Sequence, residues 1–254
     1  MLVRKVLRAI GLLCVVLSAP IWIYGAETEK VDREVLEYVR AIRVQRGRAN
    51  YTVDVSISAA VPSLSKKGIL RAIKKQAPQG VMSYESMLFE GDGLIKTNVI
   101  ARYLQAELAT SRPEEKLATE ISPLNYRFTL KGRDMIAGRE ALLHEVKPIR
   151  RGTGLFHGNV WLDRETLLPL REQGKIEKIP SVWVKEISFT RDYEFVHGYA
   201  LPNHIISEVN TRIVGKSVIN IDFANYHVQD DLTAASGQTV TGTPATLDNP
   251  PPHQ

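Results

Sequence analysis

Ser63-Leu-Ser-Lys66 places a serine three residues before a lysine, the Ser-x-x-Lys spacing of some acyl-enzyme hydrolases. The chemistry would be acyl transfer to a hydroxyl, yet the companion Ser-Asp-Asn and Lys-Thr-Gly motifs are missing, and so short a pattern arises readily by chance. There is no His-Glu-x-x-His, no Gly-x-Ser-x-Gly, no phosphate-binding loop and no dinucleotide fingerprint. The histidines His144, His157, His197, His204, His227 and His253 are dispersed. His197 and His204 flank one turn region, but no acidic or cysteine ligand set accompanies them, so surface histidines and no metal site are expected. Glu114-Glu115 and Asp230-Asp231 are adjacent pairs, which a strand or turn points apart rather than toward one bond. The expectation is a protein that is not an enzyme and takes no cofactor.

The elements that would position any such residues are written in alternation. From Trp183 to Phe195 the odd positions read Trp183, Lys185, Ile187, Phe189, Arg191, Tyr193, Phe195, and the even positions are mostly polar. Ile205, Val209 and Ile213 repeat the pattern, then Ile219, Ile221 and Phe223. Near the other end Val53, Val55, Ile57 and Ala59 alternate with Thr52, Asp54, Ser56 and Ser58. Period two gives each strand one apolar and one wetted face, the pattern of an antiparallel sheet covered on one side.

Helical periodicity is rarer. Val31, Val35, Tyr38, Val39 and Ile42 predict a helix ending near Gly47, and Ile100, Tyr103, Leu104 and Leu108 predict another over 97–110. Ile69, Leu70, Ile73 and Ala77 suggest a weak helix within 62–80, and 111–123 reads as a charged loop. From Tyr126 onward strands follow one another through short turns, among them Gly132-Arg-Asp, Gly198 with Pro202, and Val214-Gly215. No crossover helix separates these strands, so they form a meander.

Both ends read differently. Arg4, Lys5 and Arg8 precede an apolar run from Ala9 to Tyr24, the form of an export signal over 1–26. A cleaved signal is preferred to an uncleaved inner-membrane anchor because the run is short and Pro20 interrupts it. Cys14, the one cysteine, lies in that run, which leaves the mature chain without thiol chemistry. Residues 229–254 turn to Thr, Gly, Ser and Pro and read as a disordered tail, leaving 27–228 as the folded domain. The formal charge of +5 falls to +2 without the signal, 30 bases against 28 acids of mixed placement, so nucleic-acid binding is not expected.

About nine strands at roughly 4.8 Å spacing make a sheet near 40 Å wide, about twice what two helices of ~10 Å cover. The uncovered apolar face either encloses a ligand or is filled by large side chains and the weak helix. Lys185 and Arg191 share the apolar face of β alternation. Each either meets an acidic head group or carbonyl of a bound chain, or reaches water from a strand end or bulge. The second reading is preferred, because charges are seldom buried without a partner.

Val160-Trp-Leu-Asp-Arg-Glu-Thr-Leu-Leu-Pro-Leu-Arg171 forms a strand, an acidic turn and an apolar-Pro-apolar-basic return. Tyr199-Ala-Leu-Pro202 opens a strand and Asn220-Ile-Asp-Phe-Ala-Asn-Tyr226 closes one. These phrases, with the order of elements over Val31–Val228, resemble the bacterial periplasmic lipoprotein-carrier superfamily of LolA-like and LolB-like proteins. The resemblance implies an α+β fold, a curved antiparallel half-barrel wrapped over two or three helices, enclosing an apolar cavity for acyl chains. It implies a periplasmic carrier or binder of lipids or acylated proteins, acting as a monomer, with envelope or outer-membrane proteins as further partners. A stress sensor acting by protein contact is the alternative. The residues expected at the ligand are Val53, Val55, Ile57, Trp183, Lys185, Ile187, Phe189, Arg191, Tyr193, Ile219, Ile221 and Phe223.

Overall fold

The computed structural model describes residues 32–78, 81–110, 113–179, 184–212 and 215–229. The expected signal, the tail and Trp183 lie outside the described residues. Among these, ten antiparallel strands form one open, curved sheet. Three lie between the first helix and the later helical segments: β1 (Tyr51–Val61), β2 (Lys66–Gln76) and β3 (Met82–Gly91). Seven follow: β4 (Tyr126–Ile136), β5 (Arg139–Pro148), β6 (Phe156–Asp163), β7 (Pro169–Ile176), β8 (Val184–Val196), β9 (Tyr199–Thr211) and β10 (Lys216–Val228). The spatial order β3-β2-β1-β10-β9-β8-β7-β6-β5-β4 joins two meanders through β1 and β10. That junction pairs Tyr51 with Val228 and Ala60 with Val218, so the two ends of the domain zip together.

Helix α1 (Arg33–Arg48) buries Val35, Tyr38, Val39 and Ile42. Its face packs with Tyr126, Val146, Leu155, Phe156, Val160 and Leu162 from the β4–β7 half. A second helical run comprises α2 (Gly93–Ile95), a π-helical turn at Lys96–Ile100 and α3 (Ala101–Thr110). Ile95 and Ile100 from this run pack with Val53, Val55, Ile57, Leu70, Ile219 and Ile221. Each fully buried aliphatic side chain contributes about 1.5–3 kcal/mol of transfer free energy, so these two clusters hold the helices to one face.

Four local expectations are corrected. Residues 66–76 form β2 rather than a weak helix, with Gly68, Leu70, Ala72 and Lys74 buried alternately. Small residues and a lysine at inner positions disguised the period of two. The expected loop at 111–123 contains α4 (Pro113–Thr119), whose proline suits a first helical position because its missing N–H is not needed there. The turn expected at Gly132 lies inside β4, where the register shifts between Leu130 and Gly132, and the reversal occurs at Ala137-Gly138. Pro202 belongs to β9 beside another register shift, a place where a strand tolerates proline. The β8–β9 reversal itself uses His197 and Gly198 at φ 49 and 81, the positive values that a two-residue hairpin turn of the I′ kind requires.

Candidate functional site

Val53, Val55, Ile57, Ile219, Ile221 and Phe223 all face the helices and are sealed into one cluster, none more than 7% exposed. Ile95 and Ile100 cover them, so a ligand could reach them only by displacing the chain's own side chains. The residues expected on β8 behave otherwise. Ile187, Phe189, Arg191 and Tyr193 are half-buried, as is every residue from Glu186 to Val196. Phe189 stands edge-on to Phe156 with ring centroids 5.0 Å apart. Gly174, paired with Phe189, leaves the space that Phe156 fills, since a Cβ there would lie 2.4 Å from the Phe156 ring. Lys185 is exposed at a register shift between Val184 and Glu186, the bulge reading of that lysine.

Arg191 is held from β7. Its Nη1 donates to Glu172 Oε2 at 2.9 Å and lies 3.4 Å from the Tyr193 hydroxyl. Glu172 is 2% exposed. Burial works to lower the Arg191 pKa, but Tyr193 and Glu172 outweigh it and hold the guanidinium charged. Burial and the Glu172 charge together push the Tyr193 hydroxyl upward. The buried Arg191 Nε has no hydrogen-bond partner, although an orphaned donor of this kind costs about 1–3 kcal/mol. The arginine therefore presents one satisfied and one unsatisfied edge beside Phe189, whose ring centroid is 5.9 Å from Cζ.

Sequence parity did not expose Glu172. Trp161 pairs with Arg171 and Leu162 with Pro169, so Leu170 is an extra residue that inverts the facing along β7. Nor did it expose a polar clamp in the other half, where Lys74 donates to Glu107 Oε1 at 2.7 Å and Tyr84 donates to the other oxygen. Lys74 is 7% exposed and its ammonium lies 5.6 Å from the Phe223 ring centroid, so the ion pair anchors α3 over the sheet.

The histidines divide. His157, His197 and His227 are exposed as expected, and His204 is half-buried against Asp222 at 2.8 Å. His144 departs from expectation: it is 1% exposed on the helix-covered face of β5, edge-on to Phe128, with neither ring nitrogen hydrogen-bonded. Its inward placement follows from alternation with Leu142 and Val146, both buried. Asp32 and Glu34, at the start of α1, bring carboxylate oxygens within 4.8 Å of it and of each other. A separate surface depression of about 330 Å³ is lined by Lys147, Pro148, Ile149, Arg150, Arg151, His157 and Glu177.

The Trp161–Arg171 hairpin is organised by a buried carboxylate. Asp163 Oδ1 accepts from the Thr166 backbone at 2.9 Å and its hydroxyl at 2.8 Å, while Oδ2 accepts from Arg139 Nε at 2.6 Å. Burial works to raise the Asp163 pKa, but Arg139 and Thr166 outweigh it and the carboxyl lies below its ordinary value.

Residues 96–174 match the family model described as the MucB/RseB N-terminal domain. No curated protein matches the chain. A crystal structure of a LolA superfamily protein from Nitrosomonas europaea is similar at 13% identity and TM-score 0.40, over 77% of this chain and 94% of that one. An outer-membrane lipoprotein-sorting protein domain from Vibrio parahaemolyticus is similar at 12% identity and TM-score 0.42, over 82% and 94%. The MucA/MucB complex of Pseudomonas aeruginosa gives 11% identity and TM-score 0.29, over 77% and 94%. Among the described residues no helix is long and apolar enough to cross a membrane.

Proposed function

We propose that this protein is a non-enzymatic periplasmic carrier or binder of an acyl-chain ligand, a lipid or a lipid-modified protein. The ligand lies along the inner face of β8 and β9. One observation carries the reading: Ile187 and Phe189 sit on the helix-covered side of an alternating strand yet remain half-exposed, as does all of Glu186–Val196. A filled interior would bury them as β1 is buried. Arg191 adds a cation with a free Nε edge beside this apolar strip, suited to a head-group or ester oxygen. Lys185 serves it from the exposed rim. The sealed residues Val53, Val55, Ile57, Ile219, Ile221 and Phe223 form its end wall. Export by a signal over 1–26, a domain over 27–228 and a monomeric state complete this reading.

The test is native mass spectrometry of protein purified from periplasm, beside the same protein carrying Phe189→Asp. Bound lipid in the parent and its loss in a variant that still melts cooperatively are expected. Lipid-free parent protein, or equal lipid in both, would overturn the proposal.

A second reading is supported by the family-model match over 96–174. It makes the protein an envelope-stress regulator working by protein contact, with the edge strand β3 and its exposed Met87 and Leu88 as the contact. Capture of one defined partner without lipid, lost on Leu88→Lys, would favour it.

A further inference from the structure

We infer that Asp32, Glu34 and His144 form a binding site for a divalent transition-metal ion, with two carboxylate oxygens and one imidazole nitrogen as ligands. Their candidate ligand atoms lie within 4.8 Å of one another. Ligands at ~2.0–2.1 Å from a tetrahedral Zn²⁺ stand roughly 3.3 Å apart, so atoms within 4.8 Å of one another need to close by at most about 1.5 Å. Both carboxylates come from the flexible side: Asp32 is exposed and Glu34 is half-buried at the first turn of α1.

The independent mark of a ligand is His144. A side chain 1% exposed with both ring nitrogens unpartnered is an unresolved cost in a packed interior. Neither ring nitrogen meets hydrogen-bond geometry: Phe128 presents only its ring, and the Leu142 backbone comes near without completing a bond. Asp32 is likewise uncommitted. It occupies the N-cap position of α1, where an aspartate ordinarily accepts a backbone N–H, yet its side chain makes no capping bond. Two groups that lack the ordinary partner for their position, His144 and Asp32, converge with Glu34 on one point.

One nitrogen and two carboxylate oxygens are a borderline donor set, suited to Zn²⁺ ahead of Mn²⁺, and to both ahead of Mg²⁺. Water would complete the shell on the exposed side. The ion would tie the start of α1 to the middle of β5, two segments 110 residues apart in the chain (144 against 34). Its effect would be to lock α1 onto the β4–β7 half of the sheet. This inference does not depend on the ligand proposed for β8.

The experiment uses tag-free full-length protein, treated with chelator and dialysed, then titrated calorimetrically with ZnCl₂, MnCl₂ or MgCl₂. One equivalent of Zn²⁺ is expected, tighter than Mn²⁺, with a rise in melting temperature. Asp32→Asn and Glu34→Gln should each weaken Zn²⁺ at least tenfold, and the metal-free melting temperature should hardly move because Asp32 has no capping bond to lose and each replacement keeps the side chain's size. Binding should also shift the His144 imidazole nitrogen resonance. Failure of Zn²⁺ and Mn²⁺ to bind, binding of Mg²⁺ alone, or Zn²⁺ binding unaffected in the double variant would overturn the inference.

Discussion

β1 and β8 are written in the same alternating code and are buried in different ways. Along β1, Val53, Val55, Ile57, Ala59 and Val61 are buried, with the residues between them more exposed. Along β8, no residue from Glu186 to Val196 is fully buried or fully exposed. Both strands are central and paired on two sides, although β7 meets β8 only over Ser188–Asp192. Across that shared stretch hydrogen bonding does not separate β8 from β1. What separates them is the cover. Ile95 and Ile100 press onto β1 and its neighbours. At β8 only Phe156 and the rim of the α1 cluster approach Phe189 and Tyr193, and inner-facing Glu172 and Arg191 bring charge into the same layer. Alternation decides which way a side chain points; the element opposite decides how deeply it is buried.

The sharpest way to break that comparison is a matched pair of substitutions. Ile57→Asp puts a carboxylate at a site with 0% exposure and should cost about 3 kcal/mol or more, or abolish folding. Ile187→Asp, on a half-buried position, should cost less than half as much in urea denaturation. Equal losses would mean that β8 is as closed as β1.

The contrast can be sharpened on the outer face, where Asp163 is 1% exposed beneath Arg139. Its folded pKa is lowered, so its contribution is fully present above the unfolded carboxylate value near 4 and is lost as pH falls through the folded value. Thermal melts from pH 6 down to pH 2 should therefore show an acid-side loss of stability that Asp163→Asn flattens. An identical pH profile in the variant would remove Asp163 from the account. The smallest effect belongs to Lys185→Ala. This bulged, exposed residue should change stability by no more than about 0.5 kcal/mol, and a larger loss in chemical denaturation would show that β8 holds its lysine more tightly than its exposure implies.

Much of the fold was legible where a strand obeys one rule over a long stretch, as β1 does along its length and β10 over Ser217–Phe223. β1, β9 and β10 were read where they lie, and α1 was read from Val35, Tyr38, Val39 and Ile42, the residues it buries. Legibility failed where the inner face is not apolar. β2 offers Gly68, Ala72 and Lys74 inward, and its remaining isoleucines mimic a helix. It failed again at bulges, since one extra residue at Leu170 or Lys185 reverses parity without changing composition. Of the candidate site, the apolar residues were legible and their polar company was not. Glu172 and His144 lie on strands paired with their neighbours in sequence, and what each meets on the inner face was set by a bulge in β7 and by the placing of α1.

The residue order alone fixed a one-sided antiparallel sheet with an amphipathic helix before it, because the period of side-chain direction is a local property of the backbone. Which stretches of that oily face were closed, and which charged or imidazole groups met across it, was decided only by the tertiary structure. Those outcomes depend on the register shifts and on where Ile95, Ile100 and α1 come to rest, and such distances are set by packing between segments far apart in the chain.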